Sequence, residues 1–307
     1  MRIAAHTAET DPGRRRRRNE DAYVVQPPLF AVADGMGGPR AGEVASQLAA
    51  AAVKEAGDGS GAERVVAVIQ AANRSIYQRS SEDEQTSGMG TTMTVALVEE
   101  DTVTIGHVGD SRAYLARGGA LEQLTDDHSL VAELVRGGKL SPEEAENHPQ
   151  RSVITRALGT DPDVDVDVFN VEPQTGDVFL LCSDGLTTML GDEAILRVIQ
   201  EHGDIRPAAK ALVRAANSAG GEDNITVVAF EITDEPDERT MEMAAPLPSA
   251  DEVEDRDELE DTLTEADRVP TVATPAPPGR ARRRVWPLLL LLLAIAAAAV
   301  VYWFFVR

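Results

Sequence analysis

Four aspartates carry the first chemical signal: Asp34 in "FAVADGMGG", Asp110 in "TIGHVGDSR", Asp184 in "DVFLLCSDG" and Asp223 in "GGEDNITVV". The pattern places each at the end of an apolar strand, beside a glycine-rich turn. A carboxylate there is held by a rigid element yet left at the sheet edge, where chain-distant oxygens can converge on hard cations. Clustered carboxylates repel one another and raise their own pKa values unless a divalent ion neutralises them. One Asp-Gly pair is ordinary turn chemistry; the signal lies in four taken together. Competing motifs fail. Gly35-Met36-Gly37 opens a dinucleotide fingerprint, but its third glycine falls on Arg40. Cys182 heads no cysteine-phosphatase loop, because Thr188 stands where that loop needs its arginine, so Cys182 reads as a core residue.

The elements that must position these acids follow from hydrophobic periodicity. "AYVV" and "LFAVA" read as strands, and "GEVASQLAAAAVKEA" and "ERVVAVIQAANRSIYQRS" as amphipathic helices with apolar residues three and four apart. A strand block follows in "TTMTVALVEE", "TVTIGHV", "RAYLAR" and "ALEQLT", its last turn made by Gly118-Gly119. "HSLVAELVRGG" is a helix stopped by glycines, and Ser141, Pro142 and Glu144 make a capping box for the next. "VDVDVFNV" and "DVFLLCS" read as strands, residues 192–201 and 207–218 as helices, and "NITVVAFEI" as a closing strand. Strand blocks split by helix pairs favour antiparallel sheets with helices packed outside.

The chain has 307 residues, 43% hydrophobic and 4% aromatic, which is enough for a folded core. Its formal charge of −23 argues against nucleic acid as a partner. Residues 233–268 hold fifteen Asp/Glu against three Arg, and residues 233–284 read as a disordered linker. A single cysteine excludes an internal disulfide and fits a reducing compartment. No signal peptide is expected, since a run of arginines stands where an apolar region would be needed. Residues 285–306, "VWPLLLLLLAIAAAAVVYWFFV", carry no charge, and about 20 apolar residues cross a bilayer. "RARRR" precedes that stretch, so the positive-inside rule places the head in the cytoplasm, tied to the cell membrane by a single pass.

"TDPGRRRRRNED", "ADGMGG", "GMGTT", "VGDSR", "LTDDHS", "RALG", "LCSDGL" and "GGEDNITVV" occur here in one order. That series resembles the metal-dependent, type 2C protein Ser/Thr phosphatases over almost all of residues 1–232, and the acidic linker with one terminal span is similar to their membrane-anchored bacterial branch. The resemblance implies an α+β fold, a four-layer α-β-β-α sandwich of two antiparallel sheets flanked by helix pairs, with a C-terminal transmembrane helix beyond it. It implies Mn²⁺ or Mg²⁺ as cofactor: two tightly bound ions bridged by Asp34, with the Gly35 carbonyl on one and Asp184 and Asp223 on the other. Glu20 and Asp21 act through water, and Asp110 with Asp184 matches a third, weaker position. Glycine at 35 is then expected to turn the backbone so that its own carbonyl faces the ions. The implied reaction is hydrolysis of phosphoserine and phosphothreonine by in-line attack of a metal-bridging hydroxide. The implied partners are phosphorylated proteins, among them the Ser/Thr kinases it opposes, and the catalytic domain acts as a monomer.

Register singles out Arg16 from the run 14–18: it falls where that family keeps a phosphate-binding arginine, and a planar guanidinium grips two phosphate oxygens. The other arginines read as a solvated basic arm or a localisation signal. Met36 stands where animal members carry a histidine proposed as proton donor, and a thioether cannot fill that role. His107 and His128 read as packing residues, and residues 128–160 as a variable flap. A catalytically dead binding module is the contrary reading; intact Asp34, Asp184, Asp223 and Arg16 speak against it.

Overall fold

The computed structural model describes residues 1–234, apart from Gly38, Pro39 and Asn147. The acidic segment and the apolar stretch 285–306 lie outside the described residues. Among the described residues no helix is long and apolar enough to cross a membrane.

Among the described residues, eleven strands and seven α-helices follow in chain order. The strands are β1 (Arg2–Asp11), β2 (Asp21–Gln26), β3 (Leu29–Met36), β4 (Gly90–Thr91), β5 (Met93–Val98), β6 (Val103–Val108), β7 (Arg112–Arg117), β8 (Ala120–Gln123), β9 (Asp167–Val171), β10 (Val178–Cys182) and β11 (Ile225–Thr233). The helices are α1 (Ala41–Lys54), α2 (Gly61–Glu82), α3 (Leu130–Arg136), α4 (Pro142–Glu146), α5 (Asp184–Thr187), α6 (Asp192–His202) and α7 (Ile205–Ala219). One sheet has the order β1-β11-β10-β7-β8; the other runs β2-β3-β5-β6-β9, with β4 added beside β3. Every strand pair is antiparallel.

Period-two alternation builds the layers. In β3, Phe30 and Val32 enter the core between the sheets, where Phe179, Leu181, Val228 and Phe230 meet them from the other side. Leu29, Ala31 and Ala33 point the opposite way, into a core closed by α1 and α2. Leu180, Val227 and Ala229 pack outward against α6 and α7. The middle strands β5 and β6 are buried at every position, with Thr94, Thr104 and His107 enclosed alongside their apolar residues. At the centre Phe230 stacks between Phe30 and Phe179, with ring centroids 4.4 and 5.0 Å apart. The expected sandwich of sheets and helix pairs is thus present. The capping box is present too: Ser141 N–H donates to Glu144 Oε2 at 2.8 Å, and Glu144 N–H to Ser141 Oγ at 3.2 Å.

Three features differ from the sequence pattern. β1 has no counterpart in it, because its alanines, threonines and one histidine carry little hydrophobic contrast on an edge strand that is mostly half-exposed. Asp34 does not end β3; the strand continues through Gly35 and Met36, which pair with Thr91 and Gly90. The arginine run is solvated at Arg14, Arg15 and Arg17 as expected, but its backbone is a loop fastened between β1 and β2, as described below.

Candidate active site

The register of β2 against β3 sets Asp21 directly opposite Asp34. The Asp34 backbone is fully used, its N–H donating to Thr92 Oγ1 (3.0 Å) and its carbonyl accepting from Thr92 N–H (2.9 Å) and Thr91 Oγ1 (2.7 Å). That leaves only its carboxyl group for chemistry. In the other sheet, β10 ends at Cys182, and Asp184 opens the short helix α5 just beyond it. Asp223 lies just before β11, and Asp110 in the turn between β6 and β7. Four chain-distant segments therefore deliver their acids to the same end of the two sheets.

This convergence governs their electrostatics. Burial, then repulsion from Asp21, Asp184, Asp110 and Asp223, holds the Asp34 carboxyl well above the usual range. Burial raises Asp184 to about 6, with Asp223 adding to the shift and a side-chain hydrogen bond with Asp34 opposing it. Asp110 is pushed to about 8 by burial, then by Asp184 and Asp127. Asp21 is raised to about 7 by burial, against hydrogen bonds from Thr226 and Ser183 that favour its charge. Glu20 is raised as well, chiefly by burial.

Among the described residues no three of these side chains close around one point as a preformed cage. Their oxygens turn instead to the donors at hand. Asp21 Oδ2 accepts from Ser183 Oγ (2.8 Å) and Thr226 Oγ1 (2.6 Å). Asp223 accepts from Arg16 at 2.6 Å and from the Asn224 N–H at 2.8 Å. Asp21 Oδ1 and Asp184 Oδ1 are shielded from water and have no hydrogen-bond partner among the described residues. Unpartnered buried carboxylate oxygens are costly, and an all-oxygen donor set is what Mn²⁺ or Mg²⁺ takes. The residues present fit such ions.

Gly35 has a different reason from the one expected. Its φ is ordinary, and the backbone takes positive φ only after β3, at Gly37 (123°) and Arg40 (80°) among the described residues of this turn. A Cβ at Gly35 would overlap the Gly42 carbonyl and stand 2.6 Å from the Glu20 carbonyl oxygen. Glycine is needed here for close approach: it lets the first turn of α1 lie against the strand that carries Asp34, with Ser46 Oγ donating to the Glu20 carbonyl at 2.5 Å.

Every expected site residue is thus found at this end of the sandwich: Arg16, Glu20, Asp21, Asp34, Gly35, Asp110, Asp184 and Asp223. The supporting polar residues were not legible. Asn224 Nδ2 donates to the carbonyls of Pro12 (3.0 Å) and Arg18 (2.8 Å), while its Oδ1 accepts from Glu20 N–H (2.8 Å). His128 is likewise more than packing: its Nδ1 accepts from Gly109 N–H at 3.0 Å, beside Asp110, and its Nε2 faces Asp167 at 3.1 Å. The adjacency of Asn224 to Asp223 was the one available hint.

The protein phosphatase 2C family model matches residues 14–225. The chain is 43% identical over 235 residues to the serine/threonine phosphatase stp of Listeria monocytogenes, covering 72% of this chain and 93% of that one. It is 39% identical over 254 residues to the serine/threonine protein phosphatase PstP of Mycobacterium tuberculosis, covering 81% of this chain and 49% of that one. The crystal structure of the Mycobacterium tuberculosis phosphatase PstP/Ppp superposes with a TM-score of 0.71 at 40% identity, over 74% of this chain and 98% of that one. A structure of the PstP catalytic domain in complex with two manganese ions superposes with a TM-score of 0.69 at 38% identity, over 75% of this chain and 98% of that one. The chain belongs to the protein phosphatase 2C family and is a serine/threonine protein phosphatase.

Proposed function

We propose that this phosphatase works with Mn²⁺ or Mg²⁺ held by Asp34, Asp184 and Asp223, with the Gly35 carbonyl as a further ligand. Glu20 and Asp21 assist through water, and Asp110 with Asp184 forms a third, weaker position. The observation that carries this reading is the opposed pair Asp21/Asp34 beside Asp184, with two shielded carboxylate oxygens lacking any partner. Divalent ions bound there supply a water deprotonated near neutral pH and neutralise charge on the phosphoryl oxygens. Arg16 binds the phosphate group. Its guanidinium lies on Asp223, so the same carboxylate that serves the metal also aims the arginine. Met36, on β3 beside Gly90, offers no proton to the departing alkoxide. The experiment is hydrolysis of a phosphothreonine peptide by the purified chain in Mn²⁺ and in excess chelator, with manganese binding followed separately by calorimetry. Turnover that survives chelation refutes the reading.

We further propose that residues 285–306 anchor the enzyme in the cell membrane with its catalytic domain in the cytoplasm. There it opposes Ser/Thr kinases held on the same surface. Uninterrupted apolar character and the preceding "RARRR" support this, and tethering raises effective concentration toward membrane-bound substrates. Fractionation tests it: full-length chain that stays soluble, when the chain lacking 285–307 is equally soluble, contradicts the anchor.

A further inference from the structure

The five arginines at 14–18 form one short loop, and the structure divides them into two groups. Arg16 pairs with Asp223 at 2.6 Å and Arg18 with Glu43 at 3.5 Å. Arg14, Arg15 and Arg17 are exposed, and their side chains have no ion-pair or hydrogen-bond partner among the described residues. Three guanidiniums unpaired among the described residues thus flank the phosphate-binding one, in a chain whose formal charge is −23.

The loop that displays them is fixed through its backbone. Arg14 N–H and Arg15 N–H both donate to the Gly221 carbonyl, at 2.7 and 3.2 Å. Gly13 N–H donates to Asp11 Oδ1 at 2.9 Å, and Asn224 ties down the Pro12 and Arg18 carbonyls. A side chain at Gly13 would overlap the Asp223 backbone, so the loop lies directly on the segment carrying a site carboxylate. Pinning through main-chain atoms leaves the three side chains free to meet a ligand at little further ordering cost.

We infer that Arg14, Arg15 and Arg17 form a recognition surface for the chain flanking the phosphorylated residue, selecting substrates in which acidic or additional phosphorylated residues surround the phosphoserine or phosphothreonine. This rests on the phosphatase reading above and adds the substrate class. Guanidinium groups suit carboxylates and phosphates as bidentate partners. Three such exposed pairs, each of modest strength, should favour an acidic peptide by roughly three- to tenfold.

The test uses the intact chain with Mn²⁺ and two synthetic phosphothreonine peptides that differ only in flanking residues, three glutamates against three glutamines. The expected wild-type result is a kcat/KM ratio of roughly three to ten in favour of the acidic peptide, falling toward one as salt is raised and exposed charges are screened. In the Arg14→Gln/Arg15→Gln/Arg17→Gln variant the ratio should be near one already at low salt. A wild-type ratio of one at low salt overturns the inference, as does a ratio the variant retains. The salt series needs only the wild type, so a poorly folding variant does not remove the test. Hydrolysis of neither peptide, nor of para-nitrophenyl phosphate, would instead overturn the underlying phosphatase site.

Discussion

Asp21 and Asp34 face each other across neighbouring antiparallel strands, an arrangement that two like charges make unfavourable. Both carboxyls are raised above their ordinary range. A fold that places acids this way is biased toward whatever cation relieves the repulsion, and the first expectation concerns that bias. Burial and repulsion hold Asp184 to about 6, Asp21 to about 7 and Asp110 to about 8, so the folded chain keeps protons that the unfolded chain sheds near pH 4. In chelator, the cluster's contribution to stability therefore falls as pH rises above about 4 and is lost above about 8. Buried His107, held down to about 4, works in the opposite direction, but equally with and without metal. The gap in Tm between Mn²⁺ and chelator should accordingly widen from pH 5.5 to 8.5. Metal at a hundredfold its Kd adds about 2.7 kcal/mol. A gap that narrows with pH contradicts the cluster as the binding site.

Arg16→Lys keeps the charge but loses the planar fork. The expected outcome is a fall of about tenfold in kcat/KM, equivalent to about 1.4 kcal/mol, carried mainly by KM. Steady-state kinetics on a neutral phosphothreonine peptide decide it, and an unchanged KM would remove Arg16 from phosphate binding.

Much of this site could be read before the fold was known, for a physical reason. Strands β3, β6, β10 and β11 are strongly apolar and abut acids, so the contrast between core and carboxylate is written in adjacent residues. Gly35 was legible as a glycine but not as a contact, because its neighbour Gly42 belongs to α1 and the close approach exists only in three dimensions. Asn224, Ser183 and Thr226 were hidden for a related reason: the partners of their side chains lie 41 to 216 positions away in the chain. β1 was hidden because its side chains carry no clear alternation.

Gly35→Ala should damage both fold and site. The added methyl meets backbone on two sides, where no side chain can swing away, so a loss of about 3 kcal/mol is expected. Urea unfolding measures it, and a loss below about 0.5 kcal/mol would show that α1 can retreat.

Phe230→Ala removes the middle ring of the stack between the sheets. A loss of about 3–5 kcal/mol is expected, read by the same unfolding curves. Wild-type stability would place the principal core elsewhere.

Asp110→Ala should lower turnover while two tightly held ions remain, since Asp110 lies in its own turn between β6 and β7. Calorimetric titration counts the sites; an undiminished number contradicts the assignment of Asp110 to a third, weaker ion.

The most direct test of the central claim, that these aspartates form a metal site that hydrolyses phosphoserine and phosphothreonine, is manganese titration of wild type and Asp34→Ala, with turnover on one phosphothreonine peptide recorded at each point. Wild-type turnover should rise with occupancy of two tight sites and vanish in chelator. Asp34→Ala should lose both tight binding and nearly all turnover while its circular dichroism stays native. Native-like Asp34→Ala that binds manganese tightly and turns over at the wild-type rate would contradict the claim.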